Sequence, residues 1–216
     1  MPSQARVYLV RHGETDGNRD KIIQGQLDIP LNKIGLEQAA RVADVLRVIK
    51  FDVALSSDLS RAKETAAAIL REQPGLALQE QEDLRERFMG DLEGQVYGTR
   101  LDGRLSTMET GPAFAKRTLT WWRKNIVEYT ATMVPREEPY NILAVSHGGF
   151  LGTLVKNLVG TGDLRLVEGV VLASLPNASV SLIEWDGRKG KVIQYGEEGH
   201  LRRADRLDQN VDELPI

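Results

Sequence analysis

Val7-Tyr8-Leu9-Val10-Arg11-His12-Gly13-Glu14-Thr15 decides how the rest of the chain reads. Four apolar, β-favouring residues end abruptly on a guanidinium, an imidazole and a glycine. A short apolar run bounded by turn residues is the pattern of a buried strand. The pattern returns down the chain. Val53–Leu55 runs into Ser56-Ser57-Asp58, with Arg61 in the first helical turn beyond it. Ala77–Leu84 leads into Arg85-Glu86-Arg87, and Ile142–Val145 into Ser146-His147-Gly148-Gly149. In open α/β sheets, ligands bind beyond the carboxyl ends of the strands. If the four segments share one parallel sheet, two histidines, several arginines and a glutamate meet at one edge.

Helical spacing fills the intervals. Leu31 to Ile49 sets Leu36, Ala39, Ala40, Ala43, Leu46 and Ile49 on one stripe. Asp58–Leu70 is Ala-rich, with Ser57 or Asp58 in the N-cap position. A third helix opens at Gly148 or Gly149 and stops at Gly160. A further one is expected from Ala113 to Tyr129, with Phe114, Leu119, Trp122 and Ile126 turned inward. Strands alternating with such helices give an α/β protein built of βαβ units around a mainly parallel sheet. Val180–Ile183 and Val192–Tyr195, separated by Asp186-Gly187 and Lys189-Gly190, predict a terminal hairpin. Gln95–Pro112 is turn-rich and receives no element. Residues 1–200 read as a single catalytic domain and 201–216 as a charged, loosely ordered tail.

Composition narrows the function. The 216 residues are 41% hydrophobic and 27% charged, as in soluble globular domains. There are no cysteines, which removes disulfides, thiolate catalysis and Cys-based zinc sites. A net charge of −3 argues against a nucleic-acid partner. No apolar stretch nears the roughly 20 residues that span a bilayer, and the N-terminus is no signal peptide. A cytoplasmic enzyme with no membrane partner is expected. Of the three histidines, His200 lies in a polar context, so neither a metal nor another cofactor is expected.

The converging residue types suit one chemistry. Guanidinium groups bind phosphate oxygens through paired, charge-assisted hydrogen bonds. A neutral imidazole is a nucleophile at phosphorus. A carboxylic acid can protonate a leaving alkoxide and later take a proton from water. Helix N-termini near Asp58 and Gly148 add donors for an anion. Taken singly, each feature has a bland reading: Arg61 as a solvated helix residue, Glu86 as a surface ion pair, His147 as a histidine in a tight turn. The ordered combination is much harder to obtain by chance.

Arg11-His12-Gly13-Glu14-Thr15 with Asn18, Ser56-Ser57-Asp58-Leu59-Ser60-Arg61, Leu84-Arg85-Glu86 with Gly90 and Glu93-Gly94, and Ser146-His147-Gly148-Gly149 resemble the histidine phosphatase superfamily. The likeness is to its phosphoglycerate-mutase-like branch and spans roughly residues 5–195. It implies a three-layer α/β/α fold, with His12 as phosphorylated nucleophile and Glu86 as proton donor. It further implies that Arg11, Arg61 and His147 hold the transferring phosphoryl group. Asn18 and the backbone of Gly148 would complete the pocket, and Gln24 and Gly25 sit where the family's substrate loop runs.

Hydrolases and mutases of this family share the pocket. The cofactor-dependent mutases carry a long basic insertion between proton donor and second histidine. Here the span from Glu86 to His147 is only 61 residues and a predicted helix fills much of it. The reading is therefore a metal-independent phosphatase acting on small phosphomonoesters, sugar phosphates among them. Mutase-type transfer and a non-catalytic phosphate-binding module are the alternatives. Glu109-Thr110 resembles a Gly-Glu-Ser/Thr site of phosphatase-like members, with Met108 in the glycine's place. Arg87, Arg104, Lys116 and Arg117 are either a second anion site or solvated charge. Trp121-Trp122 reads as core plus one partly exposed ring, or as a contact in a homodimer. Asn177-Ala178-Ser179 matches a glycosylation pattern, which carries little weight without a secretion signal.

Overall fold

In the computed structural model, which describes residues 4–98 and 107–201, the opening apolar run lies within β1 (Ala5–Arg11). The chain continues through α1 (Asp16–Arg19), α2 (Lys33–Leu46), β2 (Val53–Ser57), α3 (Ser60–Leu70) and β3 (Leu78–Gln81). Beyond these come α4 (Gly111–Trp122), α5 (Tyr129–Ala131), β4 (Tyr140–Ser146), α6 (Gly148–Gly160), β5 (Leu164–Leu166), β6 (Val180–Trp185) and β7 (Gly190–Glu197). All seven strands form one mixed sheet in the order β3-β2-β4-β1-β6-β7-β5. Pairing is parallel except where β6 runs against its neighbours β1 and β7. The expected hairpin is β6–β7, closed by a turn in which Asp186 Oδ1 accepts from the amides of Arg188 and Lys189.

Side chains alternate across a strand, so β1 feeds two cores. Val7 and Leu9 join Phe114, Trp121 and Trp122 of α4 and Phe150 and Leu154 of α6. Tyr8 and Val10 join Val42 and Leu46 of α2 and Ala62, Ala66 and Ile69 of α3. Helices thus cover both faces, and the architecture is three-layer α/β/α. Each large apolar side chain fully buried contributes roughly 1.5–3 kcal/mol. Both tryptophans of α4 are among them, at 1% and 2% exposure, which corrects the expectation of one partly exposed ring.

Three local expectations are also corrected. The inward stripe of α2 is Gly35, Gln38, Ala39, Val42 and Leu46, while Leu36 and Ala40 face outward. Gln38 turns in because its Oε1 accepts from the Glu14 amide at 2.8 Å. Gly35 turns in because the helix backbone lies against the loop, where a Cβ would come 2.0 Å from the Glu14 carbonyl oxygen. Neither Ser57 nor Asp58 caps α3. That helix begins at Ser60, whose amide and hydroxyl donate to the Asp28 carboxylate at 2.6 and 2.9 Å. Third, the helix predicted to run to Tyr129 leaves α-geometry after Trp122 and passes through a π-type stretch, Arg123–Glu128, into α5. Leu119 in it is half-buried, and Phe114, Trp122 and Ile126 are buried as expected. The expectations for Arg104 and for the tail beyond Leu201 lie outside the described residues. Among those described, no helix is long and apolar enough to cross a membrane.

Candidate active site

The four parallel strands β1 to β4 deliver their carboxyl ends to one edge. Arg11 closes β1 and pairs in register with Ser146, which closes β4. Ser57 closes β2, and a 3₁₀ turn, Glu82–Leu84, carries the chain from β3 to Glu86. β6 runs the other way, so its amino end, just after Asn177, reaches the same edge.

His12 lies immediately past β1 and is fully buried. Its amide donates to the Ser146 carbonyl at 3.0 Å, and its own carbonyl accepts from the Ala178 amide at 3.0 Å. The ring Nδ1 is 2.6 Å from the Gly13 carbonyl oxygen. A carbonyl only accepts, so Nδ1 carries the proton and Nε2 keeps its lone pair. That Nε2 is buried without a hydrogen-bond partner. Burial first, then the charges of Arg61 and Arg11, hold His12 well below the ordinary imidazole range, so the ring is neutral.

His147 is equally buried and stands just before α6, in extended conformation. Its Nδ1 accepts from Arg61 Nε at 3.2 Å, so its proton is on Nε2, which donates to Ser57 Oγ at 2.9 Å. Burial and then Arg61 hold its pKa well below the usual value too. The two imidazole rings stand 5.1 Å apart, centroid to centroid. Positive charge at the edge therefore resides on the guanidinium groups. Arg11 and Arg61 are each 1% exposed. Arg11 donates to the Leu175 carbonyl at 2.7 Å, and Arg61 to the carbonyls of Leu27 and Gly25 at 2.7 and 2.8 Å.

Glu86 is buried, with Oε2 accepting from the Gly149 amide at 2.8 Å and Oε1 from the Arg87 amide at 2.7 Å. A Cβ on Gly149 would come 2.5 Å from Oε1, so the carboxyl group needs a glycine there. Gly148, also buried, opens α6 beside it.

The loop between β1 and α2 adds the remaining residues. Thr15 caps α1 by accepting from the Asn18 amide, and donates its hydroxyl to Gln24 Oε1 at 2.8 Å. Asn18 Oδ1 accepts from the Thr15 amide at 3.2 Å and from Asn177 Nδ2 at 3.1 Å. Gly25 has φ +51°, and a Cβ there would lie 2.2 Å from Glu93 Oε1. The Glu93 carboxylate accepts from the amides of Gln26 and Met89, so the turn is held from below.

The structure thus gathers His12, His147, Arg11, Arg61 and Glu86 at one sheet edge. It ties Asn18 and Gln24 to them through Thr15 and Asn177, and Gly25 through its carbonyl. The other described charged candidates are held by other groups or are exposed. Arg85 pairs with the Asp58 carboxylate through Nε and NH2. Arg87 donates to the Glu109 carbonyl, and Lys116 is exposed. His200 donates from Nε2 to the Ala178 carbonyl at 2.9 Å.

Several contributors went unread in the sequence. Ser57 orients His147, and Thr65 Oγ1 accepts from the Gly13 amide at 3.0 Å. Asn177 Nδ2 donates to the His12 carbonyl at 3.2 Å. The hairpin itself held a signal for Asn177: the residue before a strand that runs against the others arrives at the same edge as their ends.

A cluster at the carboxyl edge with two neutral imidazoles, two buried guanidiniums and a carboxyl group is the equipment of an enzyme that handles phosphoryl groups. The chain belongs to the histidine phosphatase superfamily (branch 1), whose family description matches residues 7–198. It is 41% identical over 210 residues to a broad-specificity phosphatase of Saccharomyces cerevisiae, covering 91% of this chain and 87% of the relative. It is 34% identical to the uncharacterized phosphatase PhoE of Bacillus subtilis, covering 90% of this chain and 96% of the other. The crystal structure of a phosphoglycerate mutase from Bacillus anthracis matches with a TM-score of 0.75 at 26% identity, covering 92% and 96%.

Proposed function

We propose that this protein is a phosphatase that hydrolyses small phosphomonoesters through a phosphohistidine formed on His12. One observation carries the reading: the buried, neutral Nε2 of His12, its lone pair exposed by the proton on Nδ1 and flanked by Arg11 and Arg61. In the first step Nε2 attacks phosphorus and the P–O ester bond breaks. Glu86, protonated, gives its proton to the departing oxygen, while the His12 ring proton stays on Nδ1, donated to the Gly13 carbonyl. In the second step the Glu86 carboxylate takes a proton from water, whose oxygen attacks phosphorus; the N–P bond breaks and phosphate leaves. Arg11, Arg61 and His147 bind the phosphoryl oxygens, with Asn18, Gln24, Gly25 and the Gly148 amide lining the pocket.

Transfer to water is favoured over transfer to a second hydroxyl by the short Glu86–His147 span. Its main helix, α4, joins the core through Phe114 and Trp121. The yeast and B. subtilis relatives carry phosphatase names, which supports the same reading. All four functional strand ends belong to one sheet, which supports residues 1–200 as one catalytic domain, and we place the enzyme in the cytoplasm.

The test is a brief exposure to labelled phosphoester followed by a denaturing quench. Acid-labile, base-stable label is expected on the protein, and undiminished label in His12→Ala sinks the assignment. Inorganic phosphate released in step with substrate loss supports hydrolysis. An isomerised ester without phosphate release overturns it in favour of a mutase, and no turnover above the His12→Ala level leaves only a binding module.

A further inference from the structure

Glu86 stands on a stretch that has left the sheet. From Asp83 to Glu86 the chain has no strand partner and only the short 3₁₀ turn Glu82–Leu84 behind it; Leu84 and Glu86 are buried and Arg85 is half-buried, so their carbonyls need donors. Side chains supply them in succession. The Leu84 carbonyl accepts from Ser146 Oγ at 2.7 Å, and the Glu86 carbonyl from Gln26 Nε2 at 3.1 Å. The rest come from a single residue of α4. Arg117 NH1 donates to the carbonyls of Asp83 and Arg85 at 2.9 and 2.8 Å, and NH2 to that of Glu86 at 3.1 Å.

The fork is itself fixed. Its Nε and NH2 bind the Glu109 carboxylate at 3.0 and 2.8 Å, a paired guanidinium–carboxylate contact. Its flat face lies over the Phe114 ring, 4.9 Å from the centroid, with Phe150 of α6 at 5.8 Å. Glu109 is tied to the same loop, its carbonyl accepting from Arg87 Nε at 2.8 Å and its amide donating to the Phe88 carbonyl at 2.9 Å. Five directional donors spent this way leave Arg117 no role as an anion clamp, although the sequence offered it as one. They also put the backbone on either side of the Glu86 side chain under one rigid group.

We infer that Arg117, locked by Glu109, is a positioning residue that sets the Glu86 carboxyl group for proton transfer. This rests on Glu86 being the proton donor. Only the planar fork fits the role: a lysine reaches one or two carbonyls and cannot hold the Glu109 carboxylate in the same plane. Side chains in catalysis must be held to within about 0.5 Å, and general acids contribute roughly 10²–10⁴-fold.

The experiment compares kcat/KM for p-nitrophenyl phosphate, whose phenolate leaves readily, with phenyl phosphate, whose leaving oxygen depends more on a donated proton. In Glu86→Gln the ratio should shift about tenfold or more against phenyl phosphate. Arg117→Ala should shift the same ratio in the same direction by about threefold or more, and Arg117→Lys by less. A purely structural role would lower both substrates together through the fraction of folded enzyme, leaving the ratio at the parent value. Glu109→Gln, which keeps the shape of the partner while removing its charge, serves if Arg117→Ala fails to fold and should shift the ratio likewise. A shift in Glu86→Gln with none in the Arg117 and Glu109 variants overturns the positioning role alone. No shift in Glu86→Gln overturns the proton-donor reading and this inference with it.

Discussion

Where one proton sits determines what His12 can do. The Gly13 carbonyl accepts a hydrogen bond from Nδ1, and the carbonyl is in turn aimed by the Asn177 side-chain amide and by the turn that Thr65 holds. The tautomer of His12, the proposed nucleophile, is thus fixed by backbone, which no substitution of a side chain removes directly. Glu86 is fixed differently, through two amides, and one of these makes a sharp prediction. In Gly149→Ala the new Cβ would stand 2.5 Å from Glu86 Oε1, far inside contact distance, so the carboxylate must move and loosen its bond to the amide. The same change is compatible with a helix, where alanine is favoured over glycine by up to about 1 kcal/mol. Activity and stability should therefore part: kcat falls about 10²-fold while the melting temperature holds or rises. Steady-state kinetics beside thermal unfolding reads both, and kcat within about threefold of the parent would refute the geometric argument. At this scale the sequence was legible for His12, Arg11, Arg61, Glu86 and His147, because their chemistry follows strand ends. It was illegible for Arg85, Arg87 and Arg117, whose guanidiniums look alike until a carboxylate or a row of carbonyls claims each one.

Strands β1, β2, β4 and β6 were legible because a buried apolar run needs no partner to be recognised; the three-residue β5 went unread, and helix faces and caps depend on what lies across from them. The α2 stripe misled for this reason. Its inward face is chosen by contact with the His12–Thr15 loop, where a glutamine that caps an amide outranks an exposed leucine such as Leu36. The α3 cap was misread because its capping group is 32 positions away in sequence, in the Asp28 carboxylate. Asp28 joins α3 to the loop whose Gly25 and Leu27 carbonyls hold Arg61. Replacing it by alanine should cost about 1 kcal/mol, the usual value of a helix cap. For a chain of this size that lowers the melting temperature by roughly 2–4 °C. Because the same carboxylate anchors the loop proposed to line the substrate pocket, KM should rise more than kcat falls. Unchanged unfolding in Asp28→Ala would show that Ser60 finds an equivalent acceptor in water.

At the scale of the whole molecule, two buried neutral histidines make folding sensitive to mild acid. In the unfolded chain each imidazole titrates near its ordinary value of 6.5, whereas burial and the neighbouring Arg61 hold both folded values well below it. Below 6.5 the unfolded state therefore binds protons that the native state does not, and stability is lost as the pH falls, until the folded values are reached. Between those limits each histidine withdraws about 1.4 kcal/mol per pH unit. Carboxylates act in the same direction but later. Asp58, held low chiefly by its hydrogen bond to Arg85, and Asp163, held low chiefly by Thr161, start to lose their contribution only as the pH approaches 3.8. A window from pH 6.5 down to about 5 thus lies above the range of these carboxylates, and comparison with a variant lacking the pair separates its share. Urea unfolding at pH 7, 6 and 5 should show the parent weakening across that window, and His12→Gln/His147→Gln weakening much less, whatever its stability at pH 7. Equal slopes in the two proteins would place the acid sensitivity elsewhere and remove the case for a neutral pair at the site. The same neutrality that weakens the fold in acid keeps the His12 lone pair available there, so stability and nucleophilicity diverge as the pH falls through one cause.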